Sequence, residues 1–261
     1  MYDLTPIPAY RYLASLLTLL ALTVPWGPLY AVGLNDTGIT TFGNASQNDL
    51  TTEPTDYPGQ DASSGRDAAF HAGTLTKIGS GPAGFDYTKI ANDGTALPAN
   101  TTRLGTAAGE WACTRDNVSG LTWEVKTNDG GLRDQDWTYT WYDSNTTTNG
   151  GNAGVANGGS CYNGRCDTEK YTADVNAAGL CGYHDWRMPT KKELVSIVNY
   201  GNSNPSISIG YFPNTPASYF WSASASAYDS GNAWFVSFDV GGASTFNKGN
   251  SFQVRLARAG Q

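Results

Sequence analysis

The chain has 261 residues, enough for one large domain or two small ones. Charged residues make up only 15%, while 31 Gly, 8 Trp and 15 Tyr run high, a mix that suits a β- and loop-rich fold with a polar uncharged surface. The aromatic content argues against disorder, and a formal net charge of −7 argues against nucleic acid, whose phosphates demand a basic face. Residues 12–24, YLASLLTLLALTV, form an apolar core of signal-peptide length after Arg11, too short for the roughly 20 residues of a membrane span. Pro25 and Gly27 stop that helix early, which favours a cleaved signal (residues 1–31, Ala31 at the cleavage site) over an N-terminal anchor. The expected location is exported: periplasmic, cell-surface or extracellular.

Residues 32–108 read as a β- and loop-rich lead-in, dense in turn chemistry such as Pro58-Gly59 and Asn92-Asp93-Gly94, with FDYTKI (residues 85–90) as a short strand. WACTRDNVSGLTWEV (residues 111–125) predicts two strands around a turn at 116–120, with Leu121, Trp123 and Val125 alternating. The first helix is expected over 168–178, with Tyr171 and Val175 on one face and Gly179 beyond its end. The second opens at Pro189-Thr190 with Thr190 and Glu193 spaced as a capping box, and is expected to run to Gly201. Its apolar face is Leu194, Ile197 and Val198. Strands return at 219–224, 232–240 and 252–258. Strands, two helices, then strands make an α+β domain.

Export permits disulfides. Cys113, Cys161, Cys166 and Cys181 allow three connectivities; the preferred one joins Cys161 to Cys166 across a short Gly/Asn-flanked loop and Cys113 to Cys181. A zinc site is disfavoured, because there is no C-x2-C pair and His184 is the only histidine nearby. Asp129, Asp134 and Asp136 lie in NDGGLRDQD, a stretch able to hold calcium but more simply read as turns. Trp186 and Trp221 read as core aromatics, and Arg187 as a structural cation reaching a carboxylate or carbonyl.

GLTWEV (120–125), AAGLCGYHDWRMPTKKEL (177–194), YFPNT (211–215), FWSAS (220–224), AWFVSF (233–238) and VRLAR (254–258) resemble, in order and approximate spacing, the Lcl C-terminal domain family. That family is named for the C-terminal domains of bacterial collagen-like adhesins. The resemblance spans residues 109–261 and implies a C-type-lectin-like fold of the kind shared with formylglycine-generating enzymes. No collagen-like repeat precedes it here. The copper-binding cysteine pair of those enzymes has no counterpart, since the last cysteine is Cys181, and the histidine-rich iron site of related sulfoxide synthases cannot be built from His71 and His184. The Glu-Pro-Asn or Gln-Pro-Asp triplet of calcium-dependent lectins is missing as well. A non-catalytic protein without a cofactor is expected.

Residues 222–258 further resemble the variable region of target proteins of diversity-generating retroelements, in which a reverse transcriptase mutates template adenines, chiefly at AAY codons. The resemblance implies a fixed scaffold of Ala233, Trp234, Val236, Phe238, Gly241, Lys248, Val254, Arg255 and Arg258. It implies variable, ligand-binding positions at Tyr228, Asp229 and Ser230 in the preceding turn. Further on it implies Phe235, Ser237, Asp239, Val240, Gly242, Ser244, Thr245, Phe246, Asn247, Gly249, Asn250, Ser251 and Phe252. Adenine mutation of AAY cannot yield Lys, Glu, Gln, Met or Trp, and none of these positions carries one. Strand alternation puts Trp234, Val236 and Phe238 in the core and Phe235, Ser237 and Asp239 on the outer face. The expected partner is a protein or glycan on a cell or phage surface. The competing readings are an adhesin of fixed glycan specificity and an enzyme of the formylglycine-generating type.

Overall fold

A computed structural model describes residues 35–259, so the secretion signal expected over residues 1–31 lies outside the described residues. In chain order the elements are α1 (Gly65–His71), β1 (Tyr87–Ala91), β2 (Ala96–Leu97), β3 (Trp111–Asp116), β4 (Leu121–Glu124), β5 (Tyr139–Thr140), α2 (Thr168–Ala178), α3 (Lys191–Val195), β6 (Tyr219–Ala225), β7 (Asn232–Ser237), β8 (Ala243–Asn247), β9 (Ser251–Phe252) and β10 (Ala257–Ala259). They form antiparallel sheets of order β10-β4-β3-β1-β2, β5-β9 and β6-β7-β8, an α+β fold. The lead-in is not a separate layer: β1 and β2 extend the sheet begun by β3 and β4.

Local chemistry explains most element boundaries. The β3–β4 turn is closed by Asp116, whose carboxylate accepts the Val118 and Ser119 amides, and by Gly120 at φ +73°. Asp167 caps α2 by accepting the Lys170 amide at 2.8 Å, and Gly179 ends it in the left-handed region. The Thr190–Glu193 capping box starts α3 as expected, but the helix stops at Val195 rather than near Gly201. The Ser196 hydroxyl donates to the Glu193 carbonyl, and Val198 and Asn199 turn to pair with Ile207 and Ser206. Leu194, Ile197 and Val198 are buried all the same.

The last segment departs further from expectation. Residues 252–258 are not one strand; between β9 and β10 the chain crosses from sheet to sheet. Phe252 pairs with Tyr139, Gln253 exchanges backbone hydrogen bonds with Tyr219 and Trp221, and Ala257 pairs with Trp123. Residues 238–240, expected to prolong β7, turn instead into β8, a strand hidden in the Gly/Ser-rich stretch.

One core cluster joins Trp123, Phe212, Phe220, Val236 and Phe238 beneath α3. A second gathers Tyr139, Tyr171, Val175, Trp186 and Val254 around the Cys113–Cys181 bridge. The other bridge, Cys161–Cys166, closes a short loop, so both follow the preferred pairing and no cysteine is free. Two disulfides fit an oxidising, exported environment. Among the described residues no helix is long and apolar enough to cross a membrane.

Candidate binding surface

The β6-β7-β8 sheet is covered on both sides over its first two strands. Phe220, Val236 and Phe238 point into the core under α3, while Trp221, Ala233 and Phe235 point the other way into a third cluster with Trp141. Strand alternation therefore separates the two sets of side chains as expected, but not into core and solvent. Phe235, expected outside, is only 8% exposed, and Ser237 is buried too. Trp234, expected in the core, is only half-buried: it sits toward the open end of β7, with the Lys191 ammonium 4.0 Å from its ring centroid. The scaffold thus contains Phe235, and its rim contains Trp234.

Phe235 is the foundation of an aromatic patch. Its ring centroid lies 4.8 Å from Tyr219, 5.4 Å from Phe252 and 6.4 Å from Phe246. Phe252 in turn rests on Trp221 at 4.4 Å. Tyr219 and Phe246 remain 44% and 48% exposed, so rigid rings face solvent over a buried aromatic floor. Tyr219 was not among the sequence candidates. Only the strand register brings it there: Tyr219 pairs with Ser237 and so shares the face of Phe235.

All other candidate positions are at least partly exposed. Tyr228, fully exposed, stands with Asp229 and Ser230 at the β6–β7 turn. Asp239, Val240 and Gly242 border the β7–β8 turn; Ser244, Thr245, Phe246 and Asn247 lie along β8; and Gly249, Asn250, Ser251 and Phe252 follow. The intervening scaffold is buried by specific means. Gly241 adopts φ +82°, and a Cβ there would lie 2.7 Å from Val198 and 2.8 Å from Tyr200. The Lys248 ammonium donates to the Asn149 and Asn152 carbonyls at 2.8 and 2.7 Å and lies 4.1 Å from the Trp141 ring centroid. Burial lowers its pKa, against the pull of Asp143 and Asp229.

Arg255 donates to the Glu124 carbonyl at 2.9 Å and the Thr215 hydroxyl at 2.6 Å, and burial pushes its pKa down to about 10. The Glu124 carboxylate accepts from Tyr171, from Lys126 at 2.9 Å and from the Leu256 amide at 2.9 Å. Arg258 pairs with Asp185 at 2.6 Å and stacks on Tyr183, which holds the Asp185 carboxyl below its ordinary pKa. Buried cations thus fasten the segment at Lys248, Arg255 and Arg258, between the exposed stretches.

This segment lies within residues 112–258, which match the Lcl C-terminal domain family over more than half of the chain. The chain belongs to the Lcl C-terminal domain family. No curated protein and no solved structure shows significant similarity to it.

Other candidate groups in this Lcl C-terminal domain protein are engaged locally. Asp134 accepts the amides of Asp129, Gly130 and Asp136, and Asp129 accepts the Thr127 hydroxyl and the Gly131 amide, so two of the three carboxylates of that stretch serve as turn caps, as the simpler reading expects. Among the described residues, the carboxylates that do gather, within 4.8 Å, are Asp36, Asp61 and Asp67. Asp67 accepts the Gly38 and Gly84 amides there, and its pKa is raised, chiefly by burial. Trp186 and Trp221 are core residues, and Arg187 forms two bonds to Glu193 at 2.8 and 2.7 Å.

Proposed function

We propose that the protein is an exported, non-catalytic ligand-binding protein whose C-terminal surface is diversified by a retroelement. The observation that carries this reading is the alternation along residues 228–258. Every candidate position except Phe235 and Ser237 reaches solvent, and every scaffold residue except Trp234 is buried. Side chains can change at such positions without opening a core cavity. Aromatic rings beside Ser, Asn and Gly also resemble a paratope, with rigid area for contact and small polar groups for adaptable hydrogen bonding. Membership of the Lcl C-terminal domain family supports a ligand-binding, adhesin-like role.

The flanking DNA tests the proposal. A reverse-transcriptase gene nearby, with a near-repeat of the coding stretch for residues 222–258 that differs at adenines, is the expected result. Intact flanks without either would leave an adhesin of fixed specificity, for which the same exposed rings would supply a constant contact surface.

A further inference from the structure

We propose a second, fixed binding site for an alkylammonium group, in a cavity between the end of β6, the first turns of α2 and the 143–150 loop. The cavity measures about 710 Å³, within the range of small-molecule sites. None of the candidate variable positions lines it, so it does not depend on the diversified-surface reading.

Its apolar part is made by Trp141, Met188 and Ala225, which also pack beneath Phe235. This gives an alkyl stem an apolar seat. The charged part is made by Asp143 and Glu169, brought together because the Ser144 amide donates to Glu169 Oε2 at 2.7 Å. Asp143 accepts the Asn145 amide and the Thr148 hydroxyl. Glu169 Oε1 has no donor among the described residues, and neither carboxylate is in a salt bridge there.

The nearby cations are committed elsewhere. Arg187, in the lining, is held by Glu193. Lys170 is paired with Asp167, and Lys191 lies over Trp234. Lys248 lies against Trp141, donates to two carbonyls and is only 2% exposed, and it offsets part of the Asp143 charge. Among the lining residues the two carboxylates have no salt-bridge partner and the one cation, Arg187, is paired with Glu193, so the lining itself is negative. An anion would meet like charge, and a neutral alkyl group would desolvate the carboxylates without pairing them. An ammonium on an aliphatic stem satisfies both parts. A lysine side chain of a partner protein and a free aliphatic amine share that chemistry.

The test is calorimetric titration of the disulfide-bonded protein with hexylammonium, hexan-1-ol, hexanoate and Nα-acetyl-lysine N-methylamide. Hexylammonium is expected to bind saturably and better than the alcohol or the carboxylate. The Asp143→Asn/Glu169→Gln double variant should weaken it by roughly three- to tenfold, as charge pairs to one partly exposed and one exposed carboxylate allow. Ala223→Leu, which narrows the cavity, should also weaken binding, with near-ultraviolet circular dichroism reporting that the variant folds. Binding of the capped lysine as well would assign the site to a protein side chain, and binding of hexylammonium alone to a free amine. The proposal is overturned if hexylammonium does not bind, if hexanol or hexanoate binds equally, or if the double variant binds as the parent does.

Discussion

Residues 254–258 and residues 243–252 lie a few positions apart yet have opposite physical characters. The first stretch is buried and fastened by charge: Arg255 and the Glu124–Lys126–Tyr171 group lie inside the protein, with hydrogen bonds to most of their polar atoms. The second, apart from the buried Lys248 that anchors it, is uncharged and open or partly open to solvent, with Phe246 and Phe252 lying over an aromatic floor. A buried charge that loses its partner is costly, whereas an exposed ring loses little when replaced. The difference teaches where change can be absorbed: the ionic anchors fix the backbone so that the neighbouring surface need not.

Breaking the anchors should give the largest effect. Glu124→Gln leaves Lys126 and Arg255 without their buried counter-charge and should cost about 3–5 kcal/mol, measured by denaturant unfolding. A cost below about 1 kcal/mol would mean that the network does not fix the segment. The disulfides should rank next. Cys113–Cys181 spans 68 residues and Cys161–Cys166 spans 5. Removing the long one with paired Ala substitutions should cost about 4 kcal/mol, and removing the short one clearly less, because longer closed loops restrict the unfolded chain more. Equal losses would contradict that ordering.

The comparison is sharpest inside the aromatic patch itself. Phe235→Ser should cost about 3 kcal/mol, as for a core phenylalanine, while Phe246→Ser should change stability by only about 0.5 kcal/mol. Thermal melts of the two variants decide it; equal losses would place Phe246 in the core.

The smallest effect concerns the helix that covers the inner face. Burial raises the Glu193 pKa, but Arg187 and the Thr190 amide and hydroxyl outweigh it, so the folded value lies below the unfolded one. Its contribution is therefore present above the unfolded pKa and lost as pH falls through the folded value. Discounted for the exposure of Arg187, it should be at most about 1 kcal/mol. Glu193→Gln should accordingly lower stability at pH 7 and converge with the parent in strong acid.

What the sequence made legible follows the range of the forces involved. Both helix starts were placed, the second from the capping of Thr190, which acts on an amide three residues away; the Asp167 cap of the first works over the same short range but was not singled out. The bridges and the burial of Trp186 were readable as well. The exchange of roles between Trp234 and Phe235 was not. Alternation assigns two faces, but only tertiary packing reveals that Trp141 and Phe252 cover the second one. The β8 strand was hidden for a related reason: Ala243–Asn247 has weak patterning of its own and is held by its register against β7. The amine-binding cavity needed the loop at 143–150 folded beside α2, a juxtaposition no local motif announces.

The central claim, that residues 228–258 divide into a tolerant surface and an intolerant scaffold, is tested most directly by saturation mutagenesis of that segment scored by protease resistance. The account predicts broad tolerance at Tyr228, Val240, Ser244, Phe246, Asn247 and Gly249. It predicts loss of folding for most substitutions at Ala233, Phe235, Val236, Phe238, Gly241, Lys248 and Arg255. Uniform intolerance across both groups, or tolerance at Lys248 and Arg255 equal to that at Phe246, would contradict it.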